Sequence, residues 1–260
     1  SEKFILIANL HNDFRFFKFY QKCFYLLGNL FTDLNITVSN SIIKSLPIKN
    51  KRKYKSILNG INKNYFDLNY PLNIIKNNSR NNNLIIIARL VPQKNIDLAI
   101  KIFSKLKNVD HLVIYGAGEL LHFLKQKAIS LKISHRVIFK GIVNREEIYK
   151  VLSESTGYLS TSKWEGIGVA NIEAAALGCM PFISDIEPHN EICDAIGLNS
   201  INLNNTNDWI IKIDNWFQRK NSEKEITIEK MIKSTRNKFD SKKLAALYAK
   251  EYRNFFISNF

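Results

Sequence analysis

Apolar runs and amphipathic stretches alternate regularly through most of this chain. Residues 84–88 are apolar without a break, and Ile96, Ala99, Ile100, Phe103 and Leu106 follow at the spacing of one helical stripe. Short apolar runs at 111–115, 137–139, 157–160 and 181–184 predict strands, and the stretches between them at 120–131, 145–153 and 170–177 predict helices. This βαβα order predicts a parallel sheet with ligands at the carboxyl ends of its strands. Upstream, the pattern reads as strand 4–9, an aromatic-rich helix 14–31, strand 36–39, a short helix 41–46 and strand 56–58, closing at Asn59 and Gly60. That is the later half of a doubly wound domain. Residues 67–83 lose periodicity and fill with Asn, which is linker chemistry. Past a further strand at 199–202, residues 207–260 read as helical, with Phe255, Phe256 and Phe260 as an apolar end; there is no internal repeat.

Composition fits that picture. The chain has 260 residues, 45% of them hydrophobic, enough for a core-forming enzyme. Cys23, Cys179 and Cys193 make neither a C-x-x-C pair nor a metal-ligand spacing, which favours a reducing cytoplasm. No apolar run reaches the length of a membrane-spanning helix, and no signal peptide opens the chain. It begins with Ser1 and enters a strand-like stretch at once, so we expect a fragment. The formal charge of +15 is concentrated at residues 49–55, where five of seven residues are basic. Such charge suits an anionic membrane, a nucleic acid or a plain solvated surface enriched in Lys by AT-rich coding.

The most informative run is 163–181. Gly166 and Gly168 allow a tight turn with exposed backbone, and the helix that follows offers unpaired N–H groups to an anion. Glu173 falls one turn into that helix and suits a neutral diol such as a ribose. Taken alone, Glu165 and Glu173 also fit an ordinary amphipathic helix after a Gly turn. Together with the Gly-Ile-Gly turn, Ala174 and residues 178–181, they resemble the E-x7-E signature of family 4 retaining glycosyltransferases, which have the GT-B fold. The resemblance implies that Glu173 holds the ribose of a sugar nucleotide and Glu165 contacts the donor sugar. It places the backbone of Ile167, Gly168 and Val169 at the diphosphate.

Other motifs join it. Arg89 and Lys94 follow the strand at 84–88 and resemble the family's G-R-L-x-x-x-K-G element, with Ala88 and Asn95 in place of its glycines. Both can face one diphosphate and neutralise the departing nucleoside diphosphate, although surface Arg and Lys are the default reading of the motif by itself. Gly116 and Gly118 resemble the family's G-x-G turn, and Lys140 with Gly141 its strand-then-Gly pattern beside the nucleotide base. Ser39 and residues 57–62 look like the elements that close its first domain. By the same resemblance His11 projects into the interdomain cleft, against a structural role as the plain alternative. His189 reads as structural or peripheral. There is no Asp-x-Asp, P-loop, Gly-x-Ser-x-Gly elbow or metal-ligand cluster.

The expected fold is therefore α/β, a GT-B pair of Rossmann-like doubly wound domains with the N-terminal one incomplete. Its divisions are a partial acceptor-side domain at 1–66, a linker at 67–83, a nucleotide-sugar domain at 84–235 and a C-terminal helix at 236–260 packing back towards the first domain. The family's reaction is metal-independent transfer of a hexosyl unit, with retention, from a nucleoside diphosphate sugar. Acceptors are glycans or lipid-linked intermediates of surface polysaccharide such as lipopolysaccharide, O-antigen or capsule. Such acceptors suit the basic segment and the aromatic helix, with peripheral contact at an anionic membrane and no nucleic acid. A GT-B sugar-nucleotide epimerase and a non-catalytic basic nucleotide- or membrane-binding module are the alternatives.

Overall fold

The structure, a computed structural model, describes residues 6–48, 51, 53–61 and 80–259. The first residues of the expected strand 4–9, part of the basic run, residues 62–66, most of the expected linker and Phe260 lie outside the described residues.

Two parallel sheets form. The first is β1 (Ile7–Leu10), β2 (Leu34–Thr37) and β3 (Tyr54–Ser56), in that order. The second contains β4 (Asn81–Ile87), β5 (His111–Tyr115), β6 (Val137–Gly141), β7 (Ser155–Ser160) and β8 (Met180–Ile183), in the order β6-β5-β4-β7-β8. Helices connect them: α1 (Phe19–Phe31), α2 (Asn40–Ser45), α3 (Ile96–Phe103), α4 (Leu121–Ser130), α5 (Arg145–Glu154), α6 (Val169–Ala176), α7 (Glu187–Ile196), α8 (Thr206–Gln218), α9 (Asn221–Phe239) and α10 (Ser241–Asn259).

Several expected boundaries move, each for a local reason. The helix expected at 14–31 is split, because the Asp13 carboxylate accepts from the Arg15 N–H and closes a 3-10 turn at Phe14–Phe16 before Phe17 turns extended. β3 begins two residues early, since Tyr54 and Lys55 pair with Asn35 and Ile36, and its last link to β2 is the Ile57 N–H donating to the Thr37 carbonyl. β4 starts inside the expected linker. Asn81 is fixed there by its carbonyl, which accepts from Thr156 Oγ1, and by the half-buried Arg80, which donates to the carbonyls of Ser155, Leu177 and Gly178. Burial lowers the Arg80 pKa to about 10. The strand expected at 199–202 reduces to one bridge between Ser184 and Ile201. Helix α7 has no counterpart among the expected elements, yet Pro188 stands in its first turn and Gly197 caps it in the left-handed region.

Around the five-stranded sheet the buried apolar residues make one continuous core, which also takes in Leu10, Phe14, Val38 and Ile42. A smaller cluster of Leu34, Ile36, Ile57 and Leu244 is covered by Tyr248, Tyr252 and Phe255 of α10, while Phe256 is half exposed. The Ile61 N–H donates to the Phe239 carbonyl, and the Ser241 N–H to that of Ile61, so α10 is tied to the end of the first sheet. Helix α1 is built the other way round. It buries none of its 13 residues. Its half-buried side carries Lys22, Tyr25 and Asn29, whereas Phe19, Tyr20, Phe24, Leu27, Leu30 and Phe31 are exposed on the other.

Candidate active site

Strand ends from both sheets meet at one cleft of about 250 Å³. His11 and Asn12 follow β1, Val38 follows β2 and Asn59 lies beyond β3; from the other side come Ala88 after β4 and Thr161 and Ser162 after β7. Carboxyl ends of parallel strands collect ligands because the connecting loops there are free to carry polar groups. The run 165–171 forms the floor. Gly166 is required here by contact: a Cβ would stand 1.9 Å from the His11 carbonyl oxygen. Gly168 takes φ 79° at the N-cap of α6, a conformation that disfavours any side chain.

Within the cleft Lys94 Nζ makes an ion pair with Glu165 Oε1, and Ser162 Oγ donates to the same oxygen at 2.8 Å. The Glu165 side chain is only 10% exposed and that of Lys94 19%. His11 lines the cleft and is exposed. Asn171 lines it too, buried, with neither side-chain amide atom hydrogen-bonded to a described residue. Beneath the turn His189 is completely buried, and its Nε2 has no such partner either. Burial pushes the His189 pKa down to about 4 against the opposing pull of Glu165, so the ring is neutral at pH 7. Its Nδ1 lies 3.0 Å from the Ser184 carbonyl, which assigns the proton to Nδ1 and leaves Nε2 as an acceptor.

A second depression of about 310 Å³ adjoins the first, sharing Ile87 and Ala88. It is lined mainly by apolar groups, among them Tyr115, Gly116, Ile142 and Ile148, with Arg89 as its cation. Arg89 is exposed, and its guanidinium lies 3.4 Å from Gln93 Oε1. Arg89 and Lys94, expected to share one diphosphate, thus line neighbouring halves of the site. Gly116 and Gly118 pack on the backbone of Ala88 and Leu90, where a Cβ would come within 1.9 and 2.5 Å of the carbonyl oxygens. The Gly141 carbonyl accepts from the Gly116 N–H at 2.7 Å; Lys140 is exposed on β6 and lines neither depression.

Glu173 is not among the residues lining either depression. Its Oε1 accepts from Arg145 at 2.8 Å and from the Tyr149 hydroxyl at 3.3 Å, so α5 holds it. Burial and the carboxylate raise the Tyr149 pKa, and the hydrogen bond to Glu173 raises that of Arg145. Ser162, Asn171, Arg145 and Tyr149 did not emerge from the sequence: no periodicity marks the first two, and Arg145 and Tyr149 meet Glu173 across 28 and 24 positions. His189, read as structural or peripheral, is packed under the turn of the cleft. Among the described residues no group of three or more His, Cys, Asp or Glu comes together as a metal site, and no helix is long and apolar enough to cross a membrane.

Comparison with known proteins agrees with this geometry. An uncharacterised glycosyltransferase of Methanocaldococcus jannaschii, MJ1607, is 29% identical over 163 residues, covering 58% of this chain and 42% of that protein. The O-antigen chain mannosyltransferase RfbU of Salmonella typhimurium is 26% identical over 162 residues, covering 61% and 43%. The chain thus spans less than half the length of these relatives. The Anabaena protein Alr3699/HepE, solved in complex with UDP and glucose, superposes with a TM-score of 0.83 at 17% identity over 96% of this chain and 72% of that one. Residues 72–233 match the family described as glycosyl transferases group 1. The chain belongs to the group 1 glycosyl transferases and has their GT-B fold of Rossmann-like parallel sheets.

Proposed function

We propose that the chain is the donor-binding part, with a portion of the acceptor side, of a family 4 retaining glycosyltransferase. It moves a hexosyl unit from a nucleoside diphosphate sugar to a glycan or lipid-linked acceptor of surface polysaccharide. The reading rests above all on one observation: Glu165 and Lys94 are paired in a cleft that both sheets line and that His11 also lines. The apolar depression beside Arg89 suits the nucleoside, with Glu173 meeting the ribose. The amides opening α6 and Arg89 meet the diphosphate, and Glu165 meets the sugar. These groups supply the positive field a leaving diphosphate needs, so the reaction proceeds without a metal. The three-stranded sheet is then part of a larger acceptor-side domain, residues 84–235 the donor domain, and α10 the helix that returns to the first.

Contact with the anionic inner face of the plasma membrane belongs to the same proposal. The outward apolar stripe of α1, carrying Phe24, Leu27 and Phe31 in a chain of charge +15, has the make-up of a helix that lies in a lipid interface. Incubation with UDP-glucose or GDP-mannose, a lipid-linked acceptor in phosphatidylglycerol vesicles and EDTA tests the reading. Sugar transferred to lipid with the anomeric configuration kept supports it; inverted product, or transfer that EDTA abolishes, contradicts it.

A further inference from the structure

The two oxygens of Glu165 are not equivalent. Lys94 and Ser162 both bind Oε1, and no hydrogen bond from another described residue falls on Oε2. Lys94 reaches the carboxylate on a long flexible stem, so it neutralises the charge without fixing which oxygen faces the cleft. Ser162 is different. It is a short, buried rotor three residues before Glu165 in the same loop, and it is held from behind. The Ser184 hydroxyl donates to the Ser162 carbonyl at 2.7 Å, and Ser184 in turn lies against His189 Nδ1, 3.1 Å from its hydroxyl. Ser160 Oγ sits 3.3 Å from Ser162 Oγ. With the Ser162 hydrogen committed to Glu165, its lone pair is left for Ser160, so the hydroxyl has one satisfied orientation.

We propose that Ser162 is a positioning residue that holds Glu165 Oε1, so that Oε2 alone is presented to a hydroxyl of the donor sugar. This rests on the reading of Glu165 as the donor-sugar contact. It predicts a loss confined to the sugar: the nucleotide does not touch Glu165, so removing the Ser162 hydroxyl leaves nucleotide affinity intact. A merely structural serine would weaken both together or neither.

The test compares Ser162→Ala, Ser162→Thr and wild type by calorimetry with UDP, UDP-glucose, GDP and GDP-mannose, alongside thermal melts. The expected result is that the affinity gained by the sugar nucleotide over the bare nucleotide falls about tenfold in Ser162→Ala, that the bare nucleotide binds within twofold of wild type, and that Ser162→Thr restores the gain. Should Ser162→Ala lose its fold, Ser162→Cys, similar in size and a weak donor, carries the same comparison; loss of fold in both variants makes the residue structural and overturns the proposal. Equal loss for both ligand types, or no loss, also overturns it. Wild type binding none of the four ligands would instead sink the functional reading itself.

Discussion

Glu165 and Glu173 lie eight residues apart in one run and are equally shielded, each side chain 10% exposed, yet their surroundings are opposite. Glu165 faces inward, between a Lys that is itself largely covered and a buried serine, with a neutral histidine packed beneath the loop. Glu173 is held from outside by Arg145, whose side chain is 65% exposed, and by Tyr149. The difference teaches that shared burial does not mean shared chemistry. A carboxylate fixed by an interior network is set in one orientation before any ligand arrives. One held by an exposed arginine can exchange that partner for a ligand hydroxyl at little cost.

The largest expected effect probes the inner region through His189. Its pKa falls from 6.5 to about 4 on folding, chiefly by burial. Above pH 6.5 the ring is neutral in both states and has no effect. As pH drops from 6.5 towards 4 the unfolded chain takes up a proton that the folded chain refuses, so stability falls, by at most about 3 kcal/mol. Denaturant melts at pH 7 and pH 4.5 measure this, and His189→Gln should lose most of the slope; an unchanged slope would place the titration elsewhere. Glu165→Gln comes next. It removes a charge-assisted contact to the sugar and leaves Lys94 unpaired, so transfer falls about 100-fold while UDP affinity holds. If UDP binding fell as far as transfer, the inward and outward roles would be confused.

On the outer side, Glu173→Ala should cost about 2 kcal/mol in nucleotide affinity, roughly 30-fold, read by calorimetry. Arg145→Ala is the smallest change. An ion pair whose arginine is largely exposed contributes little, so nucleotide affinity should move by less than about 1 kcal/mol. A loss as large as that of Glu173→Ala would mean Arg145 itself binds the ligand, and the contrast between a locked and an exchangeable carboxylate would fail.

Much of the architecture was legible in the chain. The apolar runs at 84–88 and 111–115 became adjacent parallel strands because fully buried strands need little else to declare themselves. The Gly turn before α6 was legible because only glycine fits against the His11 carbonyl and at φ 79°. Less visible was anything set by contacts between distant segments. Helix α7 hid behind a polar, Pro-containing stretch whose burial comes from packing. The start of β4 depended on Arg80 reaching carbonyls roughly 75 and 98 residues away. Ser162 looked like any loop serine until the fold brought Ser184 and His189 behind it. Lys94 was legible as a cation beyond the end of β4, but its ion pair with Glu165 was not, since 71 positions separate them.

The central claim is that this cleft and its neighbouring depression bind a nucleoside diphosphate sugar. Titration of the purified chain with UDP-glucose and with GDP-mannose in a calorimeter, in EDTA, tests it most directly. The account predicts saturable one-site binding of one of the two in the micromolar range, tighter than that of its bare nucleoside diphosphate. No heat of binding with either sugar nucleotide, or binding that appears only when a divalent metal is restored, would contradict it.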